Sequence, residues 1–149
     1  MDREKKRVML IDDTPEVLDT TVGMVRAFLP NVRVFSGLDL YDADSYVYDQ
    51  EIRFDLMIID LALGNYEFDD PTDREALAAL GDNKEYLVGW IWIKRFLRAH
   101  KEFDPNRIIV VSAYTDLLDL QEIESSGVRV IDKRARDSAR LLLKLIQYC

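Results

Sequence analysis

Four short apolar runs constrain this chain more than anything else, because each ends on a residue with chemistry to offer. Val8-Met9-Leu10-Ile11 runs into Asp12-Asp13, and Leu56-Met57-Ile58-Ile59 into Asp60. Ile108-Ile109-Val110-Val111 runs into Ser112-Ala113, and Val128-Arg129-Val130-Ile131 reaches Asp132-Lys133. Buried parallel strands read as such β-branched runs, and in an open α/β sheet ligands bind beyond the carboxyl ends of the strands. Three carboxylates, a hydroxyl and an ammonium are therefore expected at one edge of one sheet.

The segments between the runs support that alternation. Thr14-Pro15 reads as an N-cap with a first-turn proline, and Leu18, Val22, Val25 and Leu29 recur at helical spacing up to Pro30. Val32–Phe35 is a short second strand, and Leu38–Ile52 a helix marked by Tyr41, Tyr46 and Tyr48. A helix near Leu117–Ser125 stops at Gly127, and a last helix covers Asp137–Gln147. Five βα units imply a parallel sheet covered on both faces. With 149 residues, no repeat and no low-complexity linker, the expectation is one domain over 1–149.

One connection is longer than its neighbours. Gly64 and Gly89 are separated by 24 residues (65–88), more than a minimal βα loop needs. Asp70-Pro71 reads as a helix start, Thr72 with Glu75 as a capping box and Gly81 as a stop, so a short helix over Pro71–Leu80 is predicted. In the helix that follows, Trp90, Ile93 and Leu97 fall on one side, with Lys94, Arg98 and Lys101 elsewhere.

Composition excludes several classes. A net charge of −8 argues against direct nucleic-acid binding, which usually needs a basic face. The single cysteine, Cys149, precludes an intramolecular disulfide or a cysteine metal cluster and fits a reducing cytoplasm. No apolar stretch approaches membrane-spanning length, and the start is not that of a signal peptide, so no membrane association is expected. The single histidine, His100, sits near a helix end, where a cation complements the dipole.

Asp12, Asp13 and Asp60 repel one another unless a cation intervenes, and a hard divalent ion with oxygen ligands, Mg²⁺ above all, relieves that repulsion. Asp60 is the candidate nucleophile, since a carboxylate can attack phosphorus to give an acyl phosphate. Lys133 offers a point charge to an anion and Ser112 a small hydroxyl. Each alone is a weak signal. A strand-end acid is commonly just solvated, and Asp13 or Thr14 could simply cap the first helix.

Taken together, Leu10-Ile11-Asp12-Asp13, Asp55–Leu61, Val111-Ser112-Ala113 and Asp132-Lys133 make the chain resemble the receiver domain of two-component response regulators over nearly its whole length. The resemblance implies a flavodoxin-like α/β sandwich with a five-stranded parallel sheet in the order 2-1-3-4-5. It implies phosphorylation of Asp60, Mg²⁺ held by Asp12, Asp13, Asp60 and the backbone carbonyl of Ala62, and phosphoryl contacts from Ser112 and Lys133. A histidine kinase or histidine phosphotransfer protein would be the donor and a protein partner the recipient of the signal. Homodimers are also common in the family, through the last helix and strand faces.

Three features depart from the family pattern. Arg134 stands where a proline usually follows the lysine through a cis bond; a cis bond before a non-proline residue costs about 3 kcal/mol, which favours a trans loop that aims Lys133 differently. Val130 stands where many receivers carry a switching Tyr or Phe. The insertion replaces the usual turn after strand three, with Gly89 as the candidate turn glycine; it leaves the sheet edge near Asp60 and would lie over that residue or beside it. Its aromatics, Tyr66, Phe68, Tyr86, Trp90 and Trp92, would either pack it onto the domain or offer a partner surface. Two alternatives remain beside a phosphorylated receiver. One is a receiver-like interaction module that is never phosphorylated. The other is a haloacid-dehalogenase-type phosphatase, which needs a second acid two residues after its nucleophile; here those positions hold Ala62 and Thr14.

Overall fold

Every apolar run becomes a strand in the computed structural model, which describes residues 5–148. The strands are β1 (Lys6–Ile11), β2 (Val32–Gly37), β3 (Leu56–Asp60), β4 (Ile108–Ser112) and β5 (Arg129–Asp132). They form one parallel sheet in the order β2-β1-β3-β4-β5, the order the resemblance implies. Ile11 pairs with Ile59, Asp60 with Val111 and Ser112 with Asp132, so the strand ends lie level at one edge.

The pleat divides the strand residues between two cores. Val8, Leu10, Leu56, Ile58, Ile109 and Ile131 face helices α1 (Pro15–Phe28) and α6 (Ser138–Tyr148), which bury Leu18, Val22, Val25, Leu142 and Ile146. Met9, Ile11, Met57, Ile59, Ile108 and Val110 face α2 (Leu40–Asp44), α4 (Lys84–Ala99) and α5 (Leu120–Ser125). The expected 38–52 helix is α2 followed by a π-helical turn, Ser45–Asp49. The 117–125 helix begins later than expected, at Leu120, after a 3₁₀ turn over Thr115–Leu117. Thr14 has the extended backbone of an N-cap without the side-chain bond; its own N–H is held instead by Asp12 Oδ1 at 3.0 Å.

The insertion lies on the α2/α4 flank, beside the strand-end edge. Its helix, α3 (Pro71–Ala79), is capped by Asp70, whose side chain accepts the Thr72 N–H at 2.7 Å. Thr72 is thus inside the first turn and not the cap of a Thr72–Glu75 box. Leu63, Tyr66 and Phe68 join the α2/α4 core, and Ala76 and Leu77 of α3 pack against it. This extra cover changes α4. Where the spacing predicts one apolar stripe, Leu87 through Ile93 are all buried, and Trp92 is wholly so. A helix that is apolar all round is one covered on every side.

Asp44, at the end of α2, clamps the flank. Its Oδ1 accepts the Trp92 indole N–H and an Arg95 guanidinium N–H, both at 2.9 Å, while its Oδ2 accepts the Tyr66 hydroxyl. Arg95 is also flanked by the rings of Tyr48, Tyr66 and Phe68 at 5.6–5.7 Å. The Tyr66 hydroxyl is pushed well above its ordinary pKa, first by burial and then by donating to Asp44. Asp73 of α3 is buried and paired with Arg98, and its second carboxylate oxygen has no hydrogen-bond partner. His100 ends α4, its Nδ1 3.0 Å from the Phe96 carbonyl and its ring stacked on Phe96, which accords with a structural role. Among the described residues, no helix is long and apolar enough to cross a membrane.

Candidate functional site

Because the parallel strands end in register, their last residues converge. Asp12 follows β1 and still pairs with β2, its N–H donating to the Gly37 carbonyl at 3.1 Å. Asp60 is the last residue of β3, and Ser112 the last of β4. Lys133 follows β5, with its N–H held by the Ser112 carbonyl at 2.9 Å. Asp12, Asp60 and Ser112 are buried, whereas Asp13 is exposed.

Lys133 bridges the buried acids. Its Nζ lies 2.7 Å from Asp12 Oδ2 and 2.7 Å from Asp60 Oδ2. The described residues contain no cis peptide bond, and Lys133 still reaches both carboxylates, against the expectation that Arg134 would aim it elsewhere. The long stem and the Lys133–Ser112 backbone bond suffice. The other Asp60 oxygen, Oδ1, accepts the Ala62 N–H at 3.0 Å. Ser112 Oγ accepts the Tyr114 N–H at 2.9 Å, which leaves the hydroxyl proton to donate elsewhere.

Burial dominates the electrostatics of Asp60. It pushes the carboxyl above its ordinary pKa, although the Lys133 ammonium and the Ala62 N–H pull the other way. Lys133 is raised: burial opposes its charge, but its bonds to Asp12 and Asp60 outweigh that. One carboxylate oxygen from each of Asp12, Asp13 and Asp60 can be chosen so that all lie within 4.8 Å of one another. Three acids against one ammonium leave a net negative pocket of hard oxygen ligands. Such a donor set would suit a hard divalent cation.

Several neighbours escaped the sequence reading. Arg134 is not a passive replacement for proline: its guanidinium bonds Asp132 at 3.2 Å and Thr115 Oγ1 at 3.1 Å, tying the loop after β5 to the loop after β4. That pairing, led by the Arg134 side chain and N–H, holds the Asp132 carboxyl down at about 2. Gly89 is no turn glycine but an interior residue of α4, with its N–H on the Leu61 carbonyl at 3.1 Å. A Cβ there would stand 2.8 Å from the Asp60 carbonyl oxygen. Tyr86, at the start of α4, packs on Tyr114 with ring centroids 4.3 Å apart. Nothing local in the sequence pairs those two positions.

Comparison with solved structures decides the fold. The receiver domain of Francisella response regulator 1452 aligns over 97% of this chain and 95% of its own, with TM-score 0.62 and 14% identity. The fold is that of a response-regulator receiver domain. A CheY-like receiver protein from Methanospirillum hungatei shares this receiver fold over 97% of this chain and 92% of its own (TM-score 0.61, 20% identity). So does TrrA from Thermotoga maritima, solved in complex with Mg²⁺-BeF, over 94% of this chain and 98% of its own (TM-score 0.56, 14% identity). Neither protein-family models nor curated proteins give a match to the sequence.

Proposed function

We propose that the protein is a phosphorylation-dependent signalling switch in which Asp60 accepts a phosphoryl group. The observation that carries this is the Lys133 ammonium held 2.7 Å from both Asp12 and Asp60, beside a third acid, at the carboxyl edge of a receiver fold. Phosphohistidine on a histidine kinase or phosphotransfer protein is the donor this chemistry suits. An Asp60 carboxylate oxygen bonds to phosphorus while the phosphorus–nitrogen bond breaks, and the electron pair departs with the imidazole nitrogen. Mg²⁺, held by Asp12, Asp13, Asp60 and the Ala62 carbonyl, would supply positive charge to the phosphoryl oxygens when bound. Lys133 follows the negative charge from the carboxylate to the new phosphoryl group, and Ser112 donates its hydroxyl proton to a phosphoryl oxygen. The Ala62 N–H keeps the Asp60 carboxyl oriented.

Two further points support a switch over a turnover enzyme or a nucleic-acid binder. Ala62 puts no acid two residues after Asp60, so no side chain there protonates a leaving group or activates water. The net charge of −8 favours a protein partner over a nucleic acid. The complex of TrrA with Mg²⁺-BeF illustrates what a receiver fold can hold at such an edge.

Intact-protein mass after incubation with acetyl phosphate tests the proposal. One phosphoryl group is expected on the wild type, dependent on Mg²⁺ and absent from Asp60→Asn. Full-rate labelling of Asp60→Asn would overturn the assignment of the acceptor. Asp13→Ala should weaken Mg²⁺ binding, and an unchanged affinity would remove Asp13 from the ligand set.

A further inference from the structure

We infer that the Tyr114–Tyr86 contact carries the state of the Asp60 site into the insertion and the start of α4, making that flank the surface that responds to phosphorylation. The inference rests on the Asp60 reading and goes beyond it. Ser112 is wholly buried, and its Oγ accepts the Tyr114 N–H at 2.9 Å. When Ser112 Oγ itself swings towards a phosphoryl oxygen on Asp60 to bring its proton within reach, either Tyr114 follows it or its amide loses its acceptor. A part-buried amide without an acceptor is strongly disfavoured, so the loop follows. The Tyr114 ring leaves the loop on one side and packs on Tyr86 at 4.3 Å. Tyr86 stands one turn before Trp90, in the helix that the insertion covers, and is itself packed against the α2/α4 core.

The opposite side of the loop offers a tether in place of a relay. Thr115 Oγ1 donates to Asp132 at 3.1 Å and accepts from Arg134, while Val130 presents no ring on β5 to be repositioned. Movement anchored at Thr115 and driven at Ser112 therefore acts on the two residues between them, Ala113 and Tyr114, of which only Tyr114 carries a ring and has its N–H on Ser112 Oγ.

Hydrogen–deuterium exchange of the full chain with Mg²⁺ and beryllofluoride tests this, with ¹⁹F NMR reporting the bound fluoride. An aromatic pair worth about 1 kcal/mol makes or breaks about a fivefold difference in local exchange. A change of that order is expected over residues 84–88 in the wild type and in Tyr86→Phe. In Tyr86→Ala the bound fluoride signal should persist while the change over 84–88 disappears. Bound fluoride in the wild type with unchanged exchange at 84–88, or a full response in Tyr86→Ala, would overturn this inference and leave the Asp60 reading intact. No bound fluoride in the wild type would overturn both.

Discussion

Gly89 offers the sharpest perturbation, because it presses α4 onto the backbone that carries the candidate acceptor. An alanine Cβ at this position would lie 2.8 Å from the Asp60 carbonyl oxygen and 2.8 Å from Leu61 Cα, both backbone atoms. Ordinary contact begins near 3.4 Å, so α4 and the end of β3 must part by about 0.6 Å. Overpacking of this kind costs about 1–3 kcal/mol, while alanine returns up to about 1 kcal/mol of helix propensity. The net expectation for Gly89→Ala is a loss of about 1–2 kcal/mol, or roughly 3–6 °C in Tm for a domain this size. Gly23, an exposed interior residue of α1 with nothing within 4 Å of its Cβ position, is the matched control. Gly23→Ala should stabilise by about 0.5–1 kcal/mol. The displacement also moves Asp60 relative to Lys133 and Asp12, and a shift of this size at a reacting group lowers rate by about tenfold. Thermal unfolding by circular dichroism and the rate of labelling by acetyl phosphate measure the two effects. If Gly89→Ala behaves like Gly23→Ala, gaining stability and labelling at the wild-type rate, the close approach does not constrain the site.

Two other perturbations follow from the geometry. Burial raises the Asp60 pKa above the ordinary 3.8, so its carboxyl should titrate above that value by ¹³C NMR in chelator. Lys133→Met removes a partner that lowers the Asp60 pKa, so the titration should move to still higher pH; a titration at 3.8 or one unmoved by the substitution contradicts the electrostatics. The same shift has a consequence for folding: the folded state binds this proton more tightly than the unfolded one, so the Asp60 contribution to stability improves as pH falls from the raised value towards 3.8. Asp60→Asn should accordingly be the more stable protein at neutral pH in chelator, measured by urea unfolding. Asp44→Ala strips the buried Trp92 indole and the half-buried Arg95 of their acceptor and should cost about 3 kcal/mol; Asp44→Asn, which keeps a carbonyl oxygen, should cost less.

What the sequence made legible was whatever sits at the end of a strand. Asp12, Asp60, Ser112 and Lys133 each close an apolar run, and parallel pairing leaves those runs little freedom but to end level, so local pattern translates into a shared edge. The helices were less legible where a neighbour distant in sequence decided their surroundings. The spacing of Trp90, Ile93 and Leu97 describes α4 as seen from the sheet. The unbroken run Leu87–Ile93 was the signal that something covers its other side. Gly89 fits a turn equally well until α4 is seen to begin at Lys84. The Asp44 clamp could not be read at all, because its partners lie 22, 48 and 51 positions away. Arg134 in place of proline does not set the aim of Lys133, because the loop after β5 is positioned by its pairing with β4, and proline is only one way to shape it.

The insertion is part of the core and no appendage to it. Gly64, at φ 72, turns the chain away after β3, and Tyr66 and Phe68 are at once buried against α2 and α4. Its long outward side chains are polar: Arg74, Glu75, Asp82, Lys84 and Glu85 are all exposed. Rings such as Tyr66 and Phe68 bury about 150–250 Å² each, and the face beneath them is covered to a similar extent. Deleting residues 66–83 would uncover about 400 Å² of apolar surface on α2 and α4, on the order of 10 kcal/mol. That rivals the whole stability of an ordinary domain, about 5–15 kcal/mol, and matches the largest apolar patch a monomer usually tolerates. The deletion variant should therefore aggregate or lose cooperative unfolding, even though no strand and no residue of the Asp60 site is touched. A soluble deletion variant that unfolds in one transition would show that α4 needs no cover, and that the insertion's aromatics are held there for some purpose other than packing.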